Sequence, residues 1–290
     1  MSEPQAYPDW RDPSWPWIAK LARAQHHIDT LADEIAEFQA SAYKVSEERG
    51  ANPDDIDLVL HLSAPIPEHF STIVGDAIHN MRSSLDTLAF ELARRHVDGK
   101  LSEKQERRTG FPIYLYKADS DEFFASRTVL YGPAQREALE CVMPGHIWDS
   151  LPPEEALRII GTRDDDVRRD RLWILNNLWN IDKHRHLHLM VWQPDLMYWA
   201  TGQGEENSHN WRQAHPPYVD GSLIGTLVAT GDTKPVPPKL IESTFELRLV
   251  EEGVEGEGVV GSLRGVLAHV TGVFSRSFMR HESMLEESGA

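Results

Sequence analysis

The sequence is poor in cysteine: Cys141 is the only one in 290 residues. A single thiol cannot close an internal disulfide. It therefore excludes a disulfide scaffold and any zinc site built on several thiolates. Long apolar runs are missing too. No stretch reaches the roughly 18 consecutive apolar residues that a membrane span requires. The segment MSEPQAYPDWRDPSW is acidic and proline-rich, without the basic-then-apolar order of a secretory signal, so a cytoplasmic protein is expected. Basic charge is scarce, with 29 Lys and Arg against 46 Asp and Glu and a net charge of −17. That balance argues against non-specific coating of nucleic acid, though not against a local basic site. There is no GxxxxGK[ST] loop, no GxGxxG immediately after a strand, no GxSxG elbow and no HExxH pair. P-loop, dinucleotide, serine-hydrolase and zincin chemistry thus have no motif to stand on, and no cofactor is expected.

What is present is strong helical patterning. From Pro16, which suits a first helical position, Leu21, Ala24, Ile28, Leu31, Ile35, Phe38 and Ala42 recur at alternating three and four. That spacing predicts an amphipathic helix of about 25 residues. GANPD (50–54) reads as a turn, and the alternating Ile56, Leu58, Leu60 and Leu62 as a strand. A second helix is expected from Ser71 to His96, with Val74, Ile78, Met81, Leu85, Leu88 and Leu92 as its stripe. FPIYLY (111–116) predicts a short strand. Short helices are expected near 119–126, 133–142 and 153–160, and a longer one through RLWILNNLWNID.

From His186 the period changes to two. Leu187, Leu189 and Val191 followed by Gln193-Pro194-Asp195 and LMYWA read as a hairpin. Residues 201–221 read as a long polar loop, and strands are expected near 223–229 and 240–250, with Ile241, Phe245, Leu247 and Leu249 on one face. A last helix near 259–283 carries Leu263, Val266, Val270, Val273 and Phe274. The expected fold class is α+β. A helical bundle core of about four long helices carries a small, mainly antiparallel sheet inserted before the last one. An N-terminal arm (1–15) precedes a single domain, 16–290, with its helical core at 16–185 and 259–285 and its sheet layer near 186–250.

Two motifs interrupt this ordinary patterning. In GDAIHNMRSSLDTLAFEL (75–92), His79, Arg82, Ser83 and Asp86 fall in one sector away from the apolar stripe, with Asp76 nearby. Phe90 lies in that sector as well, which suggests that something covers it. The plainer reading is a solvated face with an Arg82–Asp86 pair. In NNLWNIDKHRHLH (176–188), Asn177, Asn180 and His184 align on one face beside Trp173. Asp182 and Arg185 project with the apolar face if the helix continues that far. They then form a buried ion pair or build a pocket with another element, the best partner being the His79–Arg82–Asp86 stripe. If the stretch is extended instead, His184, His186 and His188 share a strand face, a geometry open to zinc with Asp182 as a fourth ligand.

His, Arg, Asn and Asp without a Ser or Cys nucleophile suit phosphodiester chemistry better than acyl transfer. A His can take the proton of a 2′-hydroxyl or give one to the leaving oxygen. An Arg fork can hold the phosphate. Both motif regions are locally basic, with seven Lys and Arg against five acids in 82–108 and again in 158–186. The candidate catalytic set is His79, Arg82, Asp86, Asn180, Asp182, His184 and Arg185. Asn80, Asn177, Trp173, Trp192 and Trp199 are candidate ligand contacts, and no metal is assigned to this set. A rival reading makes the polar motifs structural locks, with the Trp-rich 192–220 region (Trp192, Trp199, Trp211, Tyr218) as a binding surface.

The two motifs, with FPI (111–113) between them, resemble those of a widespread family of uncharacterised bacterial proteins, over most of the chain. More distantly, the bundle and its Asn/His/Arg-bearing helix resemble HEPN domains, helical ribonucleases of toxin–antitoxin and phage-defence systems. That resemblance implies metal-independent RNA cleavage, RNA or another phosphate-bearing ligand as partner, and a homodimer. The HEPN signature is Arg, four to six residues, then His. Here that spacing occurs at Arg264…His269 and Arg276…His281, outside both motifs, and Asn177 or Asn180 stands where its Arg is expected.

Overall fold

Each long apolar stripe becomes a long helix. The computed structural model describes residues 12, 14–97, 100–149, 168–192, 199–200, 211–215, 217–228, 239–240, 245–251 and 257–288. Along the chain these are α1 (Pro16–Ala42), β1 (Tyr43–Arg49), β2 (Ile56–Leu62), α2 (His69–His96), α3 (Glu103–Glu106) and α4 (Lys117–Ala125). There follow α5 (Pro133–Glu140), α6 (Pro144–Asp149), α7 (Arg171–Asp182), β3 (Leu189–Trp192), β4 (Trp199–Ala200) and β5 (Trp211–Gln213). The last are β6 (Leu223–Leu227), β7 (Lys239–Leu240), β8 (Glu246–Leu249) and α8 (Val259–Ser288). The fold is α+β, with every strand pair among the described residues antiparallel. None of the described helices is long and apolar enough to cross a membrane.

The chain divides into two compact units. The first holds residues 1–29, 72–187 and 261–290, and is built from helices. Its core follows the predicted stripes. Val74, Ile78, Met81, Leu85, Leu88 and Leu92 of α2 have no exposed surface, and Leu263, Val266, Val270, Val273 and Phe274 of α8 have almost none. Trp17 of α1 is fully buried and packs on Phe274 and Phe278, with ring centroids 5.5 Å apart in each case. Burying such a ring is among the largest single contributions a side chain can make.

His281, also on α8, is fully buried in this unit. Its Nε2 lies 3.0 Å from the Gln135 side-chain nitrogen, so a neutral ring accepts the amide hydrogen. Burial, and then Arg95, push its pKa down to about 4. The unfolded chain protonates this ring near pH 6.5 and the folded chain does not. Stability is therefore expected to fall as pH drops from about 6.5 to about 4, by up to about 3 kcal/mol from this group. Urea midpoints for the wild type and His281→Gln across that range check this. A parallel pH dependence in both proteins would show that another group is responsible.

The second unit holds residues 30–71 and 188–260. Its main sheet runs β1-β2-β6-β5, and two-stranded sheets pair β3 with β8 and β4 with β7. Leu58, Leu60, Ile224, Phe245, Leu247 and Leu249 are buried. The predicted shared face of Phe245, Leu247 and Leu249 is thus the core face; Ile241 lies outside the described residues.

Three expectations are corrected here. First, the sheet begins before α2. YKVSEER is a strand despite its charge, because it lies at a sheet edge and pairs with β2 from Tyr43↔Leu62 to Arg49↔Ile56. Secondly, FPIYLY is not a strand. Phe111, Pro112 and Ile113 are all buried, so burial does not alternate; Pro112 removes a ladder donor, and the Arg82 and Asp86 side chains satisfy the backbone of Phe111 instead. Thirdly, among the described residues β3 does not pair with Trp199–Ala200, the end of LMYWA. It pairs with distant β8, Leu189↔Leu249 to Trp192↔Glu246, and β4 pairs with β7. The Gln193-Pro194-Asp195 turn, the 153–160 helix, most of the 201–221 loop, Trp10 and most of the acidic connector lie outside the described residues.

Candidate functional site: a buried clamp and an exposed acid–base cluster on α2

The polar sector of α2 serves two separate structural ends. Toward its C-terminal half, Arg82 is only 8% exposed. Its Nη2 donates to the Phe111 carbonyl at 2.8 Å and lies 3.3 Å from Asp86 Oδ1. The same Oδ1 accepts the Phe111 N–H at 2.9 Å. One Arg–Asp pair, one turn apart, thus satisfies both backbone groups of one residue, as a neighbouring strand would. The Arg82 guanidinium lies over the Trp179 ring of α7, 5.0 Å from its centroid. Its Nε and Nη1 have no hydrogen-bond partner, so the negative face of the indole is what balances that side of the cation. Burial weakens the hold of the guanidinium on its proton, and Asp86 opposes this. Lys20 of α1 donates to the Ser83 carbonyl and hydroxyl and to the Thr87 hydroxyl at 2.7–3.1 Å.

Two turns earlier, α2 meets the C-terminal end of α7. Gly75 has no side chain, and the Asp182 carboxylate fills that space. A Cβ built on Gly75 would stand 2.6 Å from Asp182 Oδ1. Asp182 is half-buried, and burial first, then Asp76, raise its pKa; His79 and His186 oppose them. His27 of α1 joins the group. Burial lowers its pKa, Asp76 raises it, and Arg23 and His26 lower it further. Two aspartates and three histidines from α1, α2 and α7 with its following loop therefore share one electrostatic neighbourhood. Asp182 is the last residue of α7, where the helix dipole disfavours a carboxylate. Both the glycine within α2 and the acid at the end of α7 cost stability, which is typical of a site kept for chemistry.

Of the predicted set, His79 and Asp182 are coupled electrostatically. Among the described residues neither makes a direct hydrogen bond, so the coupling is through space. Arg82 and Asp86 lie in the buried clamp, which replaces the solvated-face reading. The Asp182–Arg185 pairing is corrected. Helix α7 ends at Asp182, Arg185 is exposed, and the charges acting on Asp182 are Asp76, His79 and His186. Asn80 donates back to the Asp76 carbonyl at 2.8 Å. Asn177 and Trp173 are half-buried on α7, and Asn180 and His184 are exposed.

Trp192, in the second unit, is half-buried beneath the Arg248 guanidinium, 5.1 Å from its centroid, and Trp199 is a β4 residue. His184, His186 and His188 do not share a strand face, because β3 starts only at Leu189. Among the described residues no three His, Cys, Asp or Glu side chains converge as metal ligands. Sequence reasoning missed His27 and Gly75 entirely and treated His186 only as a metal ligand. Gly75 carried a readable signal, since a glycine inside a regular helical stripe costs about 1 kcal/mol relative to alanine and needs a reason. The chain matches no family model, no curated protein and no solved structure.

Proposed function

We propose that the helical unit is a HEPN-like acid–base nuclease that cleaves RNA without a metal cofactor. The observation that carries this reading is the electrostatic coupling of half-buried Asp182 to exposed Asp76, His79 and His186. In this reading His79 accepts the 2′-hydroxyl proton as that oxygen attacks phosphorus. His186, protonated, gives its proton to the departing 5′-oxygen, and a 2′,3′-cyclic phosphate forms. Asp76 and Asp182 stabilise the imidazolium forms. The Arg82 guanidinium is occupied and buried, so it is not the group that holds the phosphate.

The test is cleavage of single-stranded RNA by chelator-treated wild type, His79→Ala and His186→Ala. Cleavage by the wild type and its loss in both variants is the expected result. No cleavage, or equal cleavage by all three, overturns the proposal, and activity only on adding a divalent cation replaces the metal-free form of it. A second reading, a non-catalytic binding protein, draws support from the Arg82–Asp86 clamp, which gives half of the first motif a structural task. RNA binding without cleavage would favour it.

A further inference from the structure

The Asp182 carboxylate lies where a Gly75 Cβ would be, with Oδ1 2.6 Å and Cγ and Oδ2 3.0 Å from that position. Any other residue at 75 would need the carboxylate to move, since atoms at such separations overlap. The carboxylate is the free end of a side chain, so it can swing away without disturbing the backbone of either helix. The same two helices remain locked together two turns further along α2 by Arg82 over Trp179. Helix α2 is buried along its whole apolar stripe, and alanine is a better helix former than glycine. The three atoms nearest to a Cβ at position 75 all belong to the Asp182 carboxylate.

We propose that Gly75 is a positioning residue: its missing side chain seats the Asp182 carboxylate against α2, beside Asp76 and within electrostatic reach of His79. The groups facing that carboxylate are Asp76 and His79 from α2 and His186 from the segment after α7, with His27 of α1 facing Asp76. Seated there, Asp182 is half-buried and close to a second carboxylate, and both conditions favour its protonated form. Moved out to water, it loses both. The seat thus decides at what pH the carboxyl releases its proton, and whether a charged or neutral group faces His79. The consequence for catalysis rests on the nuclease reading; the seat itself does not.

The experiment follows the Asp182 carboxyl by NMR through a pH titration, in wild type, Gly75→Ala and, to assign the signal, Asp182→Asn, with thermal unfolding of each. In the wild type the carboxyl is expected to titrate above the ordinary aspartate range. In Gly75→Ala it is expected to return toward that range while the melting temperature holds or rises. A wild-type titration in the ordinary range, or the same raised titration in Gly75→Ala, overturns the proposal. If Gly75→Ala is destabilised, the double variant Gly75→Ala/Asp182→Ala separates the causes. Recovery of stability there keeps the clash with Asp182 as the reason for glycine, and no recovery removes it. RNA cleavage is measured in parallel. A protein that never cleaves RNA but shows the titration change leaves the seat intact and defeats only the nuclease reading.

Discussion

Asp86→Ala is expected to cost the fold about 3–5 kcal/mol, the range for removing one member of a buried ion pair. The loss has two sources. Arg82, at 8% exposure, keeps its charge but loses its carboxylate, and Phe111 loses the acceptor for its N–H. Asp86 itself is 38% exposed, so water recovers part of the loss and the lower half of the range is favoured. Asp86→Asn keeps an acceptor for Phe111 but no charge, and is expected to fall between wild type and alanine. Urea denaturation reads all three, with Glu103→Ala as a control. The Glu103–Arg107 pair has the same i, i+4 spacing but is over 80% exposed on both sides, and is worth about 0.5 kcal/mol at most. If Asp86→Ala costs no more than that control, the clamp does not hold the 111–115 segment.

His79→Ala is expected to lower RNA cleavage by about 10²–10⁴-fold, the usual contribution of one general acid or base. The ring is exposed, so the variant should keep its melting temperature, and lost activity cannot be attributed to unfolding. The pH profile supplies a second signature. Asp182 holds its proton to a higher pH than an ordinary aspartate, because burial and Asp76 disfavour its charged form. In the acid range the imidazolium-stabilising carboxylate is therefore missing until that proton leaves. The acid limb of the rate is expected to lie above the ordinary carboxylate range in the wild type and to vanish in Asp182→Asn. Cleavage by His79→Ala at the wild-type rate, or an acid limb unchanged in Asp182→Asn, would sink the assigned roles.

Helical structure was legible in this chain because each long helix buries one continuous stripe. Val74 to Leu92 could be picked out by spacing alone, and every one is buried. The strands were less legible where their partners are remote. Nothing near Leu189 in sequence points to Leu249, whereas the adjacent turn suggested the wrong hairpin. Edge strand β1 was hidden by its charges, which an edge tolerates and a central strand does not. The site was legible in composition and misread in role. His79 and Asp182 were singled out, and the two are coupled through space without a direct contact. Arg82 and Asp86 carry the same residue types as a phosphate site, yet they serve the backbone of Phe111. Only the position of that segment separates the two uses, and a helical wheel does not contain it. His27 was unreachable for the same reason, since its link to Asp76 depends on how α1 packs.

The boundary between the two units falls within α1, near the start of α2, between α7 and β3 and again near the start of α8, so each unit is assembled from discontinuous stretches of chain. No single contiguous fragment encodes either one. Isolating either unit by truncation would leave out part of it and report misfolding in place of function. Mapping an activity to one half of this protein therefore calls for point substitutions in the whole chain.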